Sequence, residues 1–138
     1  MITLLIGKKG SGKTKKLIEK ANEAVKNSNG NVVVIEKGLK LTYDISHQAR
    51  LIDTEAYGVQ GAEMLFGFIS GICAGNYDVT DMFVDSTLKI IGDDMAVLEN
   101  FIQKANKLAD QANVKITFSV SAEEKDIPES LNEIIAKI

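Results

Sequence analysis

A chain of 138 residues with one cysteine and a net charge of −3 excludes several classes at once. No internal disulfide can form, no apolar run approaches the ~20 residues of a membrane span, and no global positive field favours nucleic acid or anionic lipid. With 45% apolar and 25% charged residues, the expectation is one globular, cytoplasmic domain over 1–138, with no membrane or nucleic-acid partner.

Ile2 to Ile6 is a continuous apolar run ending at Gly7, the pattern of a strand buried on both faces. After a Gly/Lys-rich loop, Leu17, Ile18, Ala21, Ala24 and Val25 recur at helical spacing and predict an amphipathic helix over 13–27. Asn27-Ser28-Asn29-Gly30 stops it. Val32 to Ile35 is a second buried strand. In the segment 37–57, Leu39, Leu41 and Tyr43 alternate and Leu51-Ile52 form an apolar pair, which fits a hairpin or an ordered loop.

From Ala62, the residues Leu65, Phe66, Ile69, Ile72 and Cys73 mark a helix ending near Gly75-Asn76, with Cys73 read as a buried structural thiol. Gly67 and Gly71 lower its propensity and so predict close packing, on the chain's own sheet or across a homodimer. Met82-Phe83-Val84 is a third buried strand, ending at Asp85. Asp93-Asp94 can cap a helix carrying Leu98, Phe101, Ile102, Ala105, Leu108, Ala109 and Ala112. Ile116, Phe118 and Val120 alternate with polar residues as a fourth strand. Pro128 suits a first helical turn, and Leu131, Ile134, Ile135 and Ile138 predict a last helix. The alternation gives an α/β fold in three layers, a mainly parallel sheet of about four to five strands flanked by helices.

Gly7-Lys8-Lys9-Gly10-Ser11-Gly12-Lys13-Thr14 matches G-x-x-x-x-G-K-[S/T] at every specified position, between a buried strand and an amphipathic helix. The glycines allow backbone N–H groups to turn inward around a phosphate, and the helix N-terminus adds its partial positive charge. Lys13 can reach the β- and γ-phosphates of a nucleoside triphosphate, and Thr14 can place its hydroxyl on Mg²⁺. Lys8, Lys9, Lys13, Lys15, Lys16 and Lys20 make a local anion-attracting patch on an otherwise acidic chain. ATP is thus expected on residues 7–15, from Gly7 through Ser11 to Lys15. The second half of such a site is a carboxylate ending another buried strand. Asp85 fits that role, holding Mg²⁺ beside Thr14, with a turn cap through Ser86 and Thr87 as the alternative. Asp81 lies at the other end of the same strand.

These two motifs resemble the Walker A and Walker B elements of the P-loop NTPase superfamily, over nearly the whole chain. Polar Ser119 and Ser121, ending the strand after Asp85, look most like the RecA-like, ASCE-type branch, where the resemblance implies sensing of the γ-phosphate. The chain is also similar to short bacterial proteins labelled as twitching-motility ATPases. It lacks the length and additional motifs of a pilus-retraction motor, so motor function is not carried over. Asp85 is followed by Ser86, where RecA-like ATPases commonly have glutamate.

Hydrolysis needs a group that orients or deprotonates water. Glu36, ending the second strand, is the substitute here, with a solvated charge beside Lys37 as its alternative. Arg50, the sole arginine, suits either an arginine finger or a surface carboxylate. His47 has no partner at metal spacing, which leaves a loop histidine near Asp44 or Asp53, or a catalytic base. Asn106-Lys107-Leu108-Ala109-Asp110 has one residue too many for the guanine-reading pattern, so ATP is expected over GTP. Lys8 stands where partition-type ATPases carry an extra signature lysine, but Lys9 replaces their usual glycine.

Three functions remain: a weak Mg²⁺-dependent ATPase using Lys13, Thr14, Glu36 and Asp85; a nucleotide-dependent switch read by a protein partner; and a small phosphotransferase. For the last, Gly10 to Thr14 followed by Leu17-Ile18 is similar to thymidine kinase, with 57–75 as acceptor pocket, although that family's zinc lasso is absent.

Overall fold

The computed structural model describes residues 1–137. In chain order it runs β1 (Ile2–Gly7), α1 (Lys13–Asn27), β2 (Asn31–Glu36), β3 (Arg50–Asp53), α2 (Ala62–Gly75), β4 (Val79–Val84), α3 (Thr87–Ile91), α4 (Met95–Ala112), β5 (Lys115–Ser121) and β6 (Ile135–Lys137). Short 3₁₀ turns occupy Thr54–Tyr57, Glu124–Asp126 and Glu129–Ile134. All the strands join one parallel sheet in the order β3-β2-β4-β5-β1-β6.

The alternation of side chains along each strand sorts the core into two layers. Ile2, Leu4 and Ile6 of β1, Val33 and Ile35 of β2, and Met82 and Val84 of β4 face a cluster closed by α2, α3 and α4. Leu5, Val32, Val34 and Phe83 face the opposite layer, where Leu17 and Ala21 of α1 pack with Leu41, Ile45 and Ala49. The segment 37–49 is therefore an ordered loop and not a hairpin. It takes the place of a second helix on the α1 face.

Helix α4 starts where Asp94 accepts hydrogen bonds from the N–H groups of Ala96 (2.8 Å) and Val97 (3.4 Å). It ends where Asn113 turns left-handed. Phe101 of α4 meets Phe118 of β5 edge-on at 5.4 Å. The Asn106–Asp110 segment lies inside this helix. Cys73 is buried between α2 and the sheet layer, and burial pushes its thiol up.

The structure corrects the sequence reading at three places. The sheet has two more strands than the four apolar runs predicted, one at each edge. β3 pairs Arg50–Asp53 with Val33–Glu36, and β6 pairs Ile135–Lys137 with Leu4–Ile6. The expected last helix is a 3₁₀ turn after Pro128 followed by β6. The spacing of Leu131, Ile134 and Ile135 suits a helix, but ladder hydrogen bonds from β1 decide the local conformation. Ile138 lies outside the described residues.

The third correction concerns Gly67 and Gly71. Both are exposed, and a Cβ added at either meets nothing within 4 Å. They do not mediate close packing on the sheet, so nothing within the described chain offsets their propensity cost. The Gly67→Ala/Gly71→Ala double variant is expected to gain about 1–2 kcal/mol, read as a raised midpoint in thermal unfolding. A loss of stability would place a neighbour on that face.

Candidate functional site

Parallel strands deliver their carboxyl ends to one edge of the sheet, where ligand sites form in α/β folds. Gly7 pairs with Ser121, Phe118 with Val84, and Val84 with Ile35. That register brings the residues following β1, β2, β4 and β5 to a common rim. The Gly7–Thr14 loop, Glu36, Asp85 and Ser119 all stand there.

The loop leaves β1 at Gly7. A Cβ there would collide with the Ser11 hydroxyl, so only glycine fits unshifted. Gly10 and Gly12 sit at φ 83° and 94°, in the left-handed region. The Ser11 N–H donates to Lys8 O at 3.0 Å, and the Lys16 N–H donates to Gly12 O at 3.0 Å, starting α1 without any side-chain cap. Lys13 is buried, and its Nζ donates to Lys8 O at 2.9 Å. Burial lowers its ammonium below the ordinary lysine range, and the nearby Asp85 carboxylate partly counters that.

Asp85 is buried and held from several sides. Thr14 Oγ1 donates to its Oδ1 and Oδ2 at 3.3 and 3.2 Å. Ser119 Oγ donates to Oδ1 at 2.7 Å, and Ser86 Oγ to Oδ2 at 3.4 Å. Ser119 in turn accepts the Ser86 N–H at 2.7 Å. Its hydroxyl thus braces Asp85, and Ser119 and Ser121 both line the open cleft. Ser86 is left-handed at φ 51°, a conformation that costs a non-glycine residue about 1–3 kcal/mol.

Glu36 is 3% exposed, so it is not a solvated charge paired with Lys37. Its Oε2 accepts the Leu41 N–H at 2.8 Å. Burial pushes its carboxyl above the usual glutamate range. The N–H groups of Leu41 and Lys40 offset this in part, while the charges of Asp85 and Asp53 add to it.

Two cavities meet at this rim. A cleft of about 530 Å³ is lined by Lys9, Gly10, Gly12, Lys13 and Thr14 of the loop, with Ser86, Leu88, Lys89, Asp93, Ser119 and Ser121 facing them. A smaller cavity of about 120 Å³ holds Glu36, Asp85 and Thr14 with Lys37, Lys40, Leu41, Ser86 and Lys89. Lys8 and Lys15 line neither, and Lys8 pairs with Glu123 at 3.0 Å. No residue of 57–75 lines either cavity. Arg50 begins β3 opposite Val33, three pairs before Glu36 meets Asp53, and does not line this rim. His47 is exposed on the 37–49 loop and lines neither cavity.

Sequence reasoning missed Lys37, Lys40 and Lys89. Their signal is positional: Lys37 follows Glu36 directly, and Lys89 lies one helical turn after Asp85, on a helix of five residues too short to show a period.

Thr14 and Asp85 are the residues that could hold a cation here. Among the described residues no group of three or more His, Cys, Asp or Glu can enclose a metal. Thr14 and Asp85 offer one hydroxyl and one carboxylate, and Mg²⁺ completes such a shell with water and phosphate oxygens. No described helix is long and apolar enough to cross a membrane.

No protein-family model and no curated protein matches the sequence. Among solved structures, domain III of the Thermotoga maritima replication initiation protein DnaA is similar, with a TM-score of 0.53 and 18% identity. The alignment covers 99% of this chain and 54% of that one, so this chain spans about half the length of the structure it matches. At this identity the likeness is one of fold: a parallel α/β sheet flanked by helices.

Proposed function

We propose that this chain is a Mg-ATP-binding P-loop protein of the RecA-like branch that hydrolyses ATP slowly. The observation that carries the reading is the Thr14–Asp85 contact at 3.2–3.3 Å, made beside a glycine loop whose Gly10 and Gly12 are left-handed. Strand β5 stands between β1 and β4. That order supports the RecA-like resemblance, in which the polar end of the strand after Asp85 lies at the phosphate site.

Mg²⁺, when bound, neutralises charge building on the β- and γ-phosphate oxygens. The chain's own residues do the rest. Loop amides around Gly10 to Lys13 bind phosphate. Lys13 Nζ exchanges the Lys8 carbonyl for a phosphate oxygen. Asp85, fixed by Ser119, keeps its oxygens on the Thr14 side. Glu36 is held by the Leu41 N–H on Oε2, and its carboxylate takes the proton of an attacking water.

Glu36 is already engaged by Leu41, which favours a second reading: a switch that holds ATP with negligible turnover. Thermal unfolding and phosphate release, measured together, test both. About millimolar Mg-ATP is expected to raise the melting temperature through linkage, and EDTA is expected to abolish phosphate release. A rise without release leaves the switch. An unchanged melting curve ends both readings.

A further inference from the structure

The slow ATPase reading leaves one place without a residue: the side of the γ-phosphate opposite Lys13, where a further cation would speed hydrolysis. Arg50 cannot supply it from this chain, because it begins the edge strand β3 away from the rim. We propose that Lys89 is this cation, a catalytic lysine supplied from within the chain, which makes the site selective for a nucleoside triphosphate over a diphosphate. The proposal rests on the reading above and assigns to the site a residue that neither motif contains.

Three observations converge. The lysines lining the two cavities are Lys9 and Lys13 on one side, Lys37 and Lys40 on the other, and Lys89. Of these five described lysines Lys89 alone lines both, so residue 89 stands where the phosphate cleft meets the Glu36–Asp85 cavity. That junction is where a γ-phosphate has to lie if Lys13 holds its near side and Glu36 faces the water.

The placement is also built. Ser86 adopts a left-handed conformation, its N–H is held by buried Ser119 at 2.7 Å, and α3 begins at the next residue. Leu88 and Lys89 of α3 line the cleft directly after this turn. Lys37 Nζ then donates to the Lys89 carbonyl at 3.5 Å, tying α3 to the end of β2.

Lys89 is free to serve. None of the ion pairs among the described residues takes it, whereas Lys8 is bound to Glu123. It is exposed and lines the cleft.

In the reaction, a bond forms between the water oxygen and the γ-phosphorus, and the bond from that phosphorus to the β–γ bridging oxygen breaks. The water proton passes to Glu36. The electron pair stays on the bridging oxygen of ADP, and inorganic phosphate is released. The Lys89 ammonium offsets charge on the γ-phosphate oxygens as this happens.

The test compares the wild-type chain, Lys89→Ala and Lys89→Arg by calorimetric titration with Mg-ATP and Mg-ADP and by single-turnover phosphate release. Lys89→Ala is expected to keep its melting temperature and its ADP affinity. It is also expected to lose about tenfold in ATP affinity and about 10–100-fold in the rate of phosphate release. Lys89→Arg is expected to recover most of both. Equal ATP affinity and equal rate in wild type and Lys89→Ala, with wild type still binding ATP, would overturn this assignment and leave the nucleotide reading intact. If wild type itself binds neither nucleotide, the reading and the assignment fall together.

Discussion

Glu36→Gln is expected to slow ATP turnover by about 10²–10⁴-fold while making the protein harder to melt. The two effects have separate origins. Turnover falls because an amide cannot take the proton of the attacking water. Stability rises because Glu36 is 3% exposed and its carboxyl is pushed above the usual range by burial. Gln keeps an acceptor for the Leu41 N–H, so the 37–49 loop stays attached, and it removes a charge that burial disfavours.

The sign of the pH dependence follows. A carboxyl raised in the folded state contributes stability that is full below its ordinary value and is lost as pH rises through its folded value. The ionised side chain therefore weakens the fold above its folded value. The advantage of Glu36→Gln over wild type should be largest on the alkaline side and should shrink as pH falls toward the ordinary glutamate range. Thermal unfolding at several pH values, alongside steady-state phosphate release, checks both parts. A variant that is less stable than wild type and equally active would remove Glu36 from the catalytic role and leave it as a clamp for the loop.

Lys13→Ala is expected to bring phosphate release to background and to weaken Mg-ATP binding by about 10–100-fold, the worth of one charge-assisted hydrogen bond to phosphate. The fold should survive, because the lost contact is a single bond to the Lys8 carbonyl at 2.9 Å. The loop keeps its own turn through the Ser11 N–H and Lys8 O. Burial lowers the Lys13 ammonium below the ordinary lysine range, and only the charged form holds a phosphate oxygen. ATP affinity in wild type should therefore decline with rising pH sooner than an ordinary lysine would allow, and Lys13→Ala should lose that dependence. Calorimetric titration across an alkaline pH series reads this directly. Wild-type affinity that stays flat as pH rises would detach Lys13 from the phosphate.

Much of this site is legible in the amino-acid sequence. The eight residues from Gly7 to Thr14 carry their own geometry, because left-handed backbone at Gly10 and Gly12 and the start of a helix at Lys13 are local properties of the chain. Asp85 is legible as the polar residue ending a buried strand. Glu36 is legible in position but not in state. It is buried beside the 37–49 segment, which shows no clear period and is ordered by packing Leu41, Ile45 and Ala49 against α1 and by hydrogen bonds with Asn22 and Asp53.

Residues near in sequence wrote the four central strands, helices α1, α2 and α4, and the Gly7–Thr14 loop, because burial on a regular element leaves a repeating apolar pattern. Tertiary contact alone decided the rest. The edge strands β3 and β6 are too short to carry a pattern and exist because β2 and β1 offer them hydrogen-bonding partners. The strand order, which inserts β5 between β1 and β4, reflects long-range pairing that no local window contains. The same pairing sets Ser119 against Asp85 and brings α3, with Lys89, to the rim.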